Sequence, residues 1–429
     1  MISKAEQQLA FEKVYNKLNA AQKKAVDTIE GPVMVIAGPG TGKTQILGAR
    51  IGKILLETDT APENILCLTY TDAGAIAMRK RLMDFIGTAA YKVTISTFHA
   101  FCNDIIQDNL SLFEKPSLDP ISELEKIALL KELIDQFDKT NPLKRFKGDV
   151  YYEMSNLSKL FSAMKKEGWD VAFLTEQIDQ YIQDIPFREE FVYQRKYKQF
   201  EAGDLKQGLV DDAIEKMGKL KAAVAAFDEY QGLMKKHGRY DFDDMINWVI
   251  RAFKENKNLL AQYQERFLYI LVDEFQDTSG TQNELVQLLT NYWEQPNLFV
   301  VGDDDQSIFR FQGANVENML HFQTQFKDDI VNIVLEQNYR STQPILDAST
   351  QVINQNQERL INKIGGLSKN LIASLPENQS IDIAPSILQY NDPQEEMMDI
   401  TEKIAQLINT GTEPKEIAVL YKEHKYGTE

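Results

Sequence analysis

The segment at residues 33–44 limits the folds open to this chain more than any other feature of its sequence. It reads Val-Met-Val-Ile-Ala-Gly-Pro-Gly-Thr-Gly-Lys-Thr. The apolar first half predicts a buried strand, and the glycine-rich turn leads into a helix from about Thr44 onward. Such a turn directs backbone N–H groups around a phosphate, while Lys43 reaches the β- and γ-phosphate oxygens and Thr44 can bind Mg²⁺. The residues predicted to hold the phosphates of ATP are Gly38, Pro39, Gly40, Thr41, Gly42, Lys43 and Thr44.

This loop does not by itself define the reaction. The general pattern has Gly where this chain has Ala37, but the strand, turn and helix follow one another as the pattern requires. Kinases, GTPases and motor proteins all carry such a loop. A second feature is needed to choose among these classes.

A later apolar run supplies that second feature, because it ends in two adjacent acids. Residues 267–272 read Phe-Leu-Tyr-Ile-Leu-Val and are followed by Asp273 and Glu274. A buried strand that delivers two acids at its carboxyl end suits Asp273 as an Mg²⁺ ligand and Glu274 as the base for an attacking water. A solvated acidic turn would have the same letters, but its combination with the phosphate loop favours nucleotide hydrolysis.

Short β-branched runs alternate with helical stretches along the chain. The strand-like runs lie at residues 33–37, 65–69, 267–273 and 298–302. This alternation predicts an α/β fold with a parallel P-loop sheet and helices on its faces. Residues 103–227 are rich in helical periodicity and in Lys, Glu and Gln, which predicts a helical subdomain inserted into the sheet domain.

The composition sets outer limits on function. The chain has 429 residues, 43% of them hydrophobic, and no apolar run of membrane-spanning length, so we expect a folded cytoplasmic protein without membrane association. Cys67 and Cys102 are far apart and have no metal-ligand spacing, which predicts two buried thiols. The net charge of −17 excludes a surface that binds polyanions everywhere. Any nucleic-acid site must therefore be a confined track.

Two clusters in the predicted insert interleave basic and aromatic residues, at 144–147 (Lys-Arg-Phe-Lys) and 193–198 (Tyr-Gln-Arg-Lys-Tyr-Lys). Such clusters grip a nucleic-acid backbone and stack bases in some proteins. Solvated helix faces have the same composition. For either cluster alone the solvated face is the favoured interpretation.

The acids at the end of the second strand belong to a longer motif, Asp-Glu-Phe-Gln-Asp-Thr at 273–278, which resembles motif II of the UvrD/Rep/PcrA helicases of superfamily 1. Other segments follow in the order of that family. Residues 18–26 resemble its Q motif, which implies that Gln22 binds the edge of the adenine. An amide has both the donor and the acceptor that this edge requires. The resemblance implies a RecA-like P-loop sheet that binds ATP and Mg²⁺.

Two further segments resemble motifs Ia and Ib, which line the path of single-stranded DNA in this family. They are Thr-Tyr-Thr-Asp at 69–72 and Ser-Thr-Phe-His-Ala-Phe-Cys at 96–102. The resemblance implies DNA contacts for Thr69, Tyr70, Thr97 and Phe98. An exposed aromatic face stacks a base at about 1–3 kcal/mol, independent of sequence. For Phe98 a place in the core is the alternative, and for Phe101 and His99 the structural interpretation is favoured.

Two segments after motif II resemble the next motifs of the family. Residues 301–309 resemble motif III, which implies that Gln306 senses the γ-phosphate and couples it to DNA contacts, while 303–305 have structural roles rather than a metal-binding one. Residues 335–341 resemble motif IV, which implies that Tyr339 stacks on the adenine and that Arg340 contacts the γ-phosphate. Such an arginine contributes about 10³–10⁵ in rate in comparable NTPases.

The chain departs from the family pattern at several positions near these sites. Asp72 stands where Asn is usual, Phe311 where Trp is usual, Gln312 where Arg is common and Gln45 where Arg often follows the loop threonine. Phe311 keeps an aromatic ring and remains a DNA candidate. The changes at 72 and 312 remove or oppose positive charge near the DNA path that the resemblance implies, so we expect DNA affinity or step coupling to differ from that of other members.

The order of the motifs predicts three structural units. They are a motor domain 1A at 1–102 and 228–335, an inserted helical subdomain 1B at 103–227, and a partial second motor domain 2A at 336–429. Motifs V and VI are not found before residue 429. We therefore expect an amino-terminal portion of a longer helicase, since translocation requires two motor domains that close on ATP and reopen.

Three functions remain open at this point. The first is an ATP-dependent helicase or translocase in DNA repair or recombination, monomeric, with single-stranded DNA and single-strand/double-strand junctions as partners, moving 3′ to 5′ as the resemblance implies. The second is a nucleotide-gated module that binds DNA or a partner without efficient turnover. The third is the motor part of a helicase-nuclease.

Overall fold

A parallel sheet forms the centre of the computed structural model, in which residues 4–113, 119–144, 148–307, 316–421 and 424–427 are described. The strands are β1 Val33–Ala37, β2 Ile65–Thr69, β3 Thr94–Thr97, β4 Asp119–Pro120, β5 Arg239–Tyr240, β6 Tyr269–Val272, β7 Leu298–Gly302, β8 Val331–Leu335, β9 Gln337–Asn338 and β10 Ile372–Ala373. Six of them lie side by side in the order β3, β2, β6, β7, β1, β8, and every pairing is parallel. The predicted α/β class with a parallel sheet is thus confirmed.

Helices make up most of the remaining described chain. They are α1 Lys4–Tyr15, α2 Ala20–Asp27, α3 Lys43–Glu57, α4 Asp72–Ile86, α5 Phe98–Asp108, α6 Leu110–Phe113, α7 Glu123–Gln136, α8 Met154–Glu167, α9 Val171–Asp184, α10 Gln207–Lys236, α11 Phe242–Glu255, α12 Lys257–Arg266, α13 Gly280–Thr290, α14 Val316–Gln325, α15 Gln343–Ile353, α16 Leu360–Lys363, α17 Pro376–Gln379, α18 Pro393–Asn409 and α19 His424–Gly427. None of these helices is both long and apolar enough to span a membrane, in the part of the chain that the structure describes.

Helices cover both faces of the sheet, which explains why its strands are continuously apolar. Side chains alternate between the two faces along each strand. Met34 and Ile36 of β1 pack in a cluster with α5, α11, α12 and α13, whereas Val33 and Val35 pack in a second cluster with α2, α3 and α4. A strand with two buried faces needs apolar residues along its length; β1 and β7 have them throughout, and β2 has them up to its last residue, Thr69.

The parallel arrangement brings the candidate functional segments to one edge. The carboxyl ends of β1, β2, β3, β6 and β7 lie at the same edge of the sheet, and the loops that leave them start at residues 38, 70, 98, 273 and 303. Ligands of open α/β sheets bind outside this edge. Segments that are far apart in sequence are thereby placed around one site.

The insert between β3 and β6 has its own core. The helices α7, α8, α9 and α10 pack around a cluster that includes Leu133, Phe161 and Tyr230. The chain enters and leaves this subdomain at the paired strands β4 and β5. Helix α10 is continuous for 30 residues, so the domain boundary that we predict at 227–228 lies inside a helix.

The cluster at 193–198 lies between α9 and α10 in a short hairpin. The ring of Tyr193 stacks on those of Tyr197 and Phe200, with centroids 6.1 and 4.8 Å away. Lys196 forms an ion pair with Glu201. The rings thus stack on one another, and one cation of the cluster is already paired with a carboxylate. In the other cluster, at 144–147, residues 145–147 lie outside the described part of the chain.

A buried lysine joins the insert to the sheet domain. Lys165 of α8 contacts Asp241 and Asp244 at the start of α11, with N–O distances of 2.7 and 2.9 Å. The lysine side chain is 2% exposed. The side chains of Asp241 and Asp244 also form a capping box at the start of α11, in which each carboxylate accepts the backbone N–H of the other residue. A buried cation between two carboxylates that are already hydrogen-bonded fixes the relative position of α8 and α11.

We expect Lys165→Ala to lower the free energy of unfolding by about 3–5 kcal/mol, because it leaves two partly buried carboxylates without a cation. The matched control is Lys219→Ala, whose ion pair with Glu215 is exposed on both sides and should contribute only about 0–1 kcal/mol. Urea-induced unfolding followed by circular dichroism measures both. Equal midpoints for the two variants would show that the Lys165 cluster does not stabilise the interface.

The last part of the described chain has a different character. After β8 the chain forms β9, which pairs with β10 at the edge of the phosphate loop. None of the described side chains between residues 374 and 421 is buried.

Candidate nucleotide and DNA site

The phosphate loop connects β1 to α3 in a conformation that requires glycine at two positions. Gly40 and Gly42 have φ values of 73° and 91°, in the left-handed region. A Cβ on Gly40 would lie 2.6 Å from Cβ of Arg340, and one on Gly42 would lie 2.8 Å from Nε2 of Gln22. Helix α3 begins at Lys43, one residue before the predicted start. The backbone of the loop is therefore free to approach a phosphate at the amino terminus of a long helix.

The catalytic acids lie directly after β6. Asp273 is 9% exposed, and burial together with the neighbouring Glu274 raises its pKa to about 6, while Lys43 opposes the shift. The backbone N–H of Glu274 donates to Oδ1 of Asp273 at 2.9 Å. Glu274 has a φ of 48°, which is rare for a residue other than glycine. Such strained positions are concentrated at functional sites.

Lys43 and Glu274 contact each other although 231 positions separate them in the sequence. Nζ of Lys43 lies 2.7 Å from Oε2 of Glu274, and the two side chains are 11% and 34% exposed. The residue predicted to bind phosphate and the residue predicted to act as base are thus in direct contact. Thr44, the other predicted Mg²⁺ ligand, is half-buried in the first turn of α3.

Gln276 joins these acids to β7, a role that the sequence interpretation did not assign to it. Its Nε2 donates to Glu274 at 2.9 Å and to Asp277 at 3.1 Å. Its Oε1 accepts the backbone N–H of Asp303 at 2.8 Å. Gln306 in turn donates to Oδ2 of Asp303 at 2.5 Å. The only signal for Gln276 in the sequence is its place inside the motif at 273–278.

Burial and the adjacent Glu274 also raise the pKa of Asp277, to about 6. Two carboxyl groups with raised pKa values therefore flank Glu274, in agreement with a site built to receive positive charge.

Gln22 lies beside the phosphate loop, where both ends of its amide are bound. Nε2 donates to the carbonyl of Thr41 at 2.8 Å, and Oε1 accepts the backbone N–H of Asn19 at 3.1 Å. Gln22 is 2% exposed. The contact of Gln22 with the adenine stays a prediction. In this structure the Gln22 side chain supports the phosphate loop. Thr41 is itself buried and donates to the carbonyl of Gly38 at 2.7 Å.

The segment that contains Tyr339 and Arg340 packs on the other side of the loop. Asn338 donates its amide to the carbonyl of Pro39 at 2.5 Å, and the backbone N–H of Tyr339 donates to that of Gly40 at 2.8 Å. The hydroxyl of Tyr339 accepts from Asn19 at 3.0 Å, beside Gln22. Arg340 is exposed, and its guanidinium forms no ion pair within the described residues. Both predicted nucleotide contacts therefore lie at the loop.

The predicted DNA residues divide into two groups. Tyr70 is 48% exposed, and Thr97 is half-buried at the start of α5, where it accepts the N–H of Ala100 at 3.2 Å. Phe98 is 2% exposed and packs in the core below the sheet. Thr69 is 1% exposed and donates to the carbonyl of Thr71 at 3.1 Å.

The DNA contacts predicted for Phe98 and Thr69 are therefore corrected. The first residue of α5 turns its ring inward against the sheet, and the last residue of β2 ends inside the fold. Phe101 is 3% exposed, in agreement with its predicted place in the core. Phe311 lies outside the described residues. His99 lies 3.7 Å from Asp243 and edge-on to Phe242, contacts that fit its structural interpretation.

Comparison with known proteins agrees with this geometry. Residues 18–327 match the family model described as the UvrD/REP helicase N-terminal domain, and residues 333–429 match the UvrD-like helicase C-terminal domain. The chain is 31% identical over 409 residues to the ATP-dependent DNA helicase PcrA of Bacillus subtilis (strain 168), covering 94% of this chain and 47% of that protein.

Two staphylococcal relatives are similar to the same degree. PcrA of Staphylococcus epidermidis (strain RP62A) is 33% identical over 348 residues, covering 80% of this chain and 40% of that protein. PcrA of Staphylococcus aureus (strain Mu50) is 32% identical over 350 residues, covering 80% and 41%. The chain spans less than half the length of these curated relatives. Because the first family model matches more than half of its residues, the chain belongs to the UvrD/REP helicase family.

Proposed function

We propose that this chain is the ATP-binding portion of a DNA helicase that hydrolyses ATP to move along single-stranded DNA. The observation that carries the proposal is the contact between Lys43 and Glu274, 2.7 Å apart beside the buried Asp273. A phosphate-binding lysine, a base and a metal-binding acid at one sheet edge are the parts that nucleotide hydrolysis requires. The curated relatives are named ATP-dependent DNA helicases.

Binding of ATP requires Lys43 to change partner. Its ammonium now binds the carboxylate of Glu274, and the phosphate oxygens would take it over. That exchange frees Glu274 to accept the proton of the attacking water. Gln276 keeps its hydrogen bond to Glu274 and so holds the orientation of the carboxylate. Mg²⁺, bound by Thr44 and Asp273, would neutralise charge on the phosphates.

The residues around the loop would complete the nucleotide site. Tyr339 and Gln22 lie on the adenine side, and a flat ring there can stack on the base. Arg340 lies at Gly40, from where its free guanidinium can reach the γ-phosphate. An arginine in that position stabilises the charge that develops during transfer. Because Arg340 belongs to the second family domain, hydrolysis would depend on how that domain sits on the loop.

For DNA we propose a narrow track along the carboxyl ends of β2 and β3. Tyr70 and Thr97 follow these strands, and Tyr70 has an exposed ring. Phe311 stays a predicted contact. A track that uses ring faces binds bases of any sequence. A narrow track also agrees with the net charge of −17, which disfavours a broad positive surface.

The setting of this activity follows from the same proposal. We propose that the substrates are single-stranded DNA and its junctions with duplex DNA. The protein would act as a monomer, and its partners would be repair or recombination proteins. We propose the cytoplasm as the place of this work. We propose that residues 1–102 with 228–335, residues 103–227 and residues 336–429 are domains 1A, 1B and 2A. The β4–β5 pairing supports limits of the insert that lie further along the chain, at about 119 and 240.

A nucleotide-gated binding module is the second candidate, and one observation favours it. Lys43 and Glu274 neutralise each other, so at rest neither the proposed base nor the phosphate-binding lysine is free. A chain that remained in this state would bind DNA without turnover. The motor part of a helicase-nuclease stays a third candidate.

ATP hydrolysis in the presence of different DNAs tests the proposal. We expect an unstructured single-stranded oligonucleotide to raise the hydrolysis rate, because the proposed track at the ends of β2 and β3 lies beside β6, and Glu274 follows β6 closely. A blunt duplex of equal length should have little effect. If the chain bound ATP and DNA but neither the single strand nor the duplex raised its hydrolysis rate, the gated module would be favoured instead.

Tyr70→Ala should weaken single-stranded DNA binding by about 1–3 kcal/mol, because it removes one stacking face. The loss should be the same for oligo(dT) and for mixed sequences. Tyr91→Ala is the matched control, since Tyr91 is 62% exposed but lies before β3, at the opposite edge of the sheet. Fluorescence anisotropy with labelled oligonucleotides measures both affinities. An unaltered affinity of the Tyr70 variant would remove this ring from the track.

A further inference from the structure

Three consecutive aspartates after β7 surround the amine of one distant lysine. Asp303, Asp304 and Asp305 have carboxylate oxygens within 4.8 Å of one another, an arrangement that could hold a metal ion. Nζ of Lys369 lies among them, in contact with Asp303, 3.1 Å from Asp304 and 2.8 Å from Asp305. The ammonium of Lys369 therefore occupies the place that a metal ion would take.

This cluster is almost completely removed from solvent. The side chain of Lys369 is 1% exposed, and those of Asp303 and Asp304 are 0% exposed. Burial alone would lower the pKa of Lys369, but the three carboxylates outweigh it and raise this pKa well above its ordinary value. A buried charge is stable only when partners satisfy it, so removal of the lysine would leave the aspartates unbalanced.

The cluster also joins two parts of the chain. Lys369 and Arg359 belong to the segment at 336–373, which follows the sheet, whereas the aspartates follow β7. Arg359 donates through Nε and Nη2 to the two oxygens of Asp305, at 2.7 and 2.9 Å. The N–H of Leu360 donates to Asp304 at 2.7 Å. Each aspartate is thus held by a group of the second segment.

A short series of hydrogen bonds leads from this cluster to the proposed base. Asp303 accepts from Gln306 through Oδ2, and its backbone N–H donates to Gln276. Gln276 donates to Oε2 of Glu274, which is the atom that binds Lys43. A displacement of Asp303 would therefore change the position of Gln276, and with it the orientation of the Glu274 carboxylate.

We propose that Lys369 is a positioning residue for ATP hydrolysis, which uses its ammonium in place of a metal ion to fix Asp303 and so orient Gln276, Gln306 and Glu274. This inference rests on the proposed function. On this proposal, the segment at 336–373 influences the catalytic residues without contacting the reacting atoms. The base is correctly oriented only while this segment is docked on the sheet domain.

The first test is the steady-state kinetics of Lys369→Met with saturating single-stranded DNA. We expect kcat to fall about 10–100-fold, the range for loss of a group that orients a catalytic one, while KM for ATP stays unchanged. Lys363→Met is the matched control, because this lysine lies in the same segment but pairs with Glu358 near the surface. An unchanged kcat in Lys369→Met, beside an active unmodified chain, overturns the inference and leaves the proposed function intact.

A double variant separates positioning from stability. Lys369→Met with Asp304→Asn restores the charge balance of the cluster, so stability should recover towards that of the unmodified chain. If Lys369 positions Asp303, kcat of the double variant stays low. Recovery of kcat together with stability would show that the lysine has only a structural role.

Hydrogen exchange tests the inference without any ATP turnover. The test therefore still applies if the unmodified chain does not hydrolyse ATP and the proposed function is wrong. The amide of Asp303, which is bonded to Gln276, should exchange about tenfold faster in the double variant than in Asp304→Asn alone. The peptides that cover 273–277 should also exchange faster, while those of the insert should not. Equal exchange in the two variants overturns the inference.

Discussion

Glu274→Gln should lower the rate of ATP hydrolysis by about 10²–10⁴-fold, the contribution typical of a positioned general base. Glutamine keeps the size of the side chain and its hydrogen bond to Gln276, but it cannot accept a proton from the attacking water. The substitution also removes the ion pair with Lys43, 2.7 Å away, which competes with phosphate for the ammonium. Affinity for ATP should therefore be retained or increased.

The measurement combines a coupled hydrolysis assay with equilibrium binding of a fluorescent ATP analogue. Glu284→Gln serves as the control, since this residue lies on α13 just after the motif and forms an exposed pair with Lys254. Hydrolysis at the normal rate in Glu274→Gln would remove this residue from the role of base. A parallel loss of ATP affinity would show that the carboxylate supports the loop rather than the reaction.

Lys43→Ala should abolish detectable ATP binding while the fold is retained. The ammonium would make charge-assisted hydrogen bonds to the phosphates, each worth about 1.5–3 kcal/mol. Loss of two such bonds corresponds to roughly 10²–10⁴-fold in affinity. Lys43 is only 11% exposed, but its one observed partner is Glu274, and the variant leaves that carboxylate partly open to water. Folding should therefore be little affected.

Titration with the same analogue measures the loss, and thermal unfolding confirms that the variant is folded. Lys53→Ala is the matched control, because Lys53 lies later in α3 and pairs with Asp27 and Glu57 away from the loop. If the Lys43 variant bound the nucleotide as tightly as the control, the assignment of residues 38–44 as the phosphate loop would be wrong.

The sheet and its nucleotide loop could be predicted because local sequence determines them. The runs at 33–37, 65–69 and 298–302 coincide with β1, β2 and β7, since a strand buried on both faces has to be apolar throughout. The loop at 38–42 is equally local, as its glycines are required by its own backbone. Asp273 and Glu274 follow from the apolar strand before them.

The contacts that complete the site could not be predicted in this way. Gln276 and Lys369 act through partners 27 and 66 positions away in sequence, and no local pattern indicates such distances. Phe98 was predicted to bind DNA because its motif does so in the family. Which way a ring turns at the first residue of a helix depends on the packing beneath it, and here that packing takes the ring into the core.

The boundary of the insert shows the same limit. Helical periodicity continues without a break through residues 207–236, so it predicts a helix but does not tell where the inserted domain ends. That end is set by Arg239 and Tyr240, which pair with residues 119 and 120 across the entry to the insert. A pairing over this distance depends on the tertiary fold.

Steady-state ATP hydrolysis by the chain, with and without single-stranded DNA and beside the Glu274→Gln variant, tests the central claim most directly. The site described here predicts hydrolysis that DNA stimulates and that the variant loses. ATP bound by Lys43 and the phosphate loop, but hydrolysed at the same slow rate in the unmodified chain, with DNA, and in the variant, would contradict a hydrolytic site at Glu274.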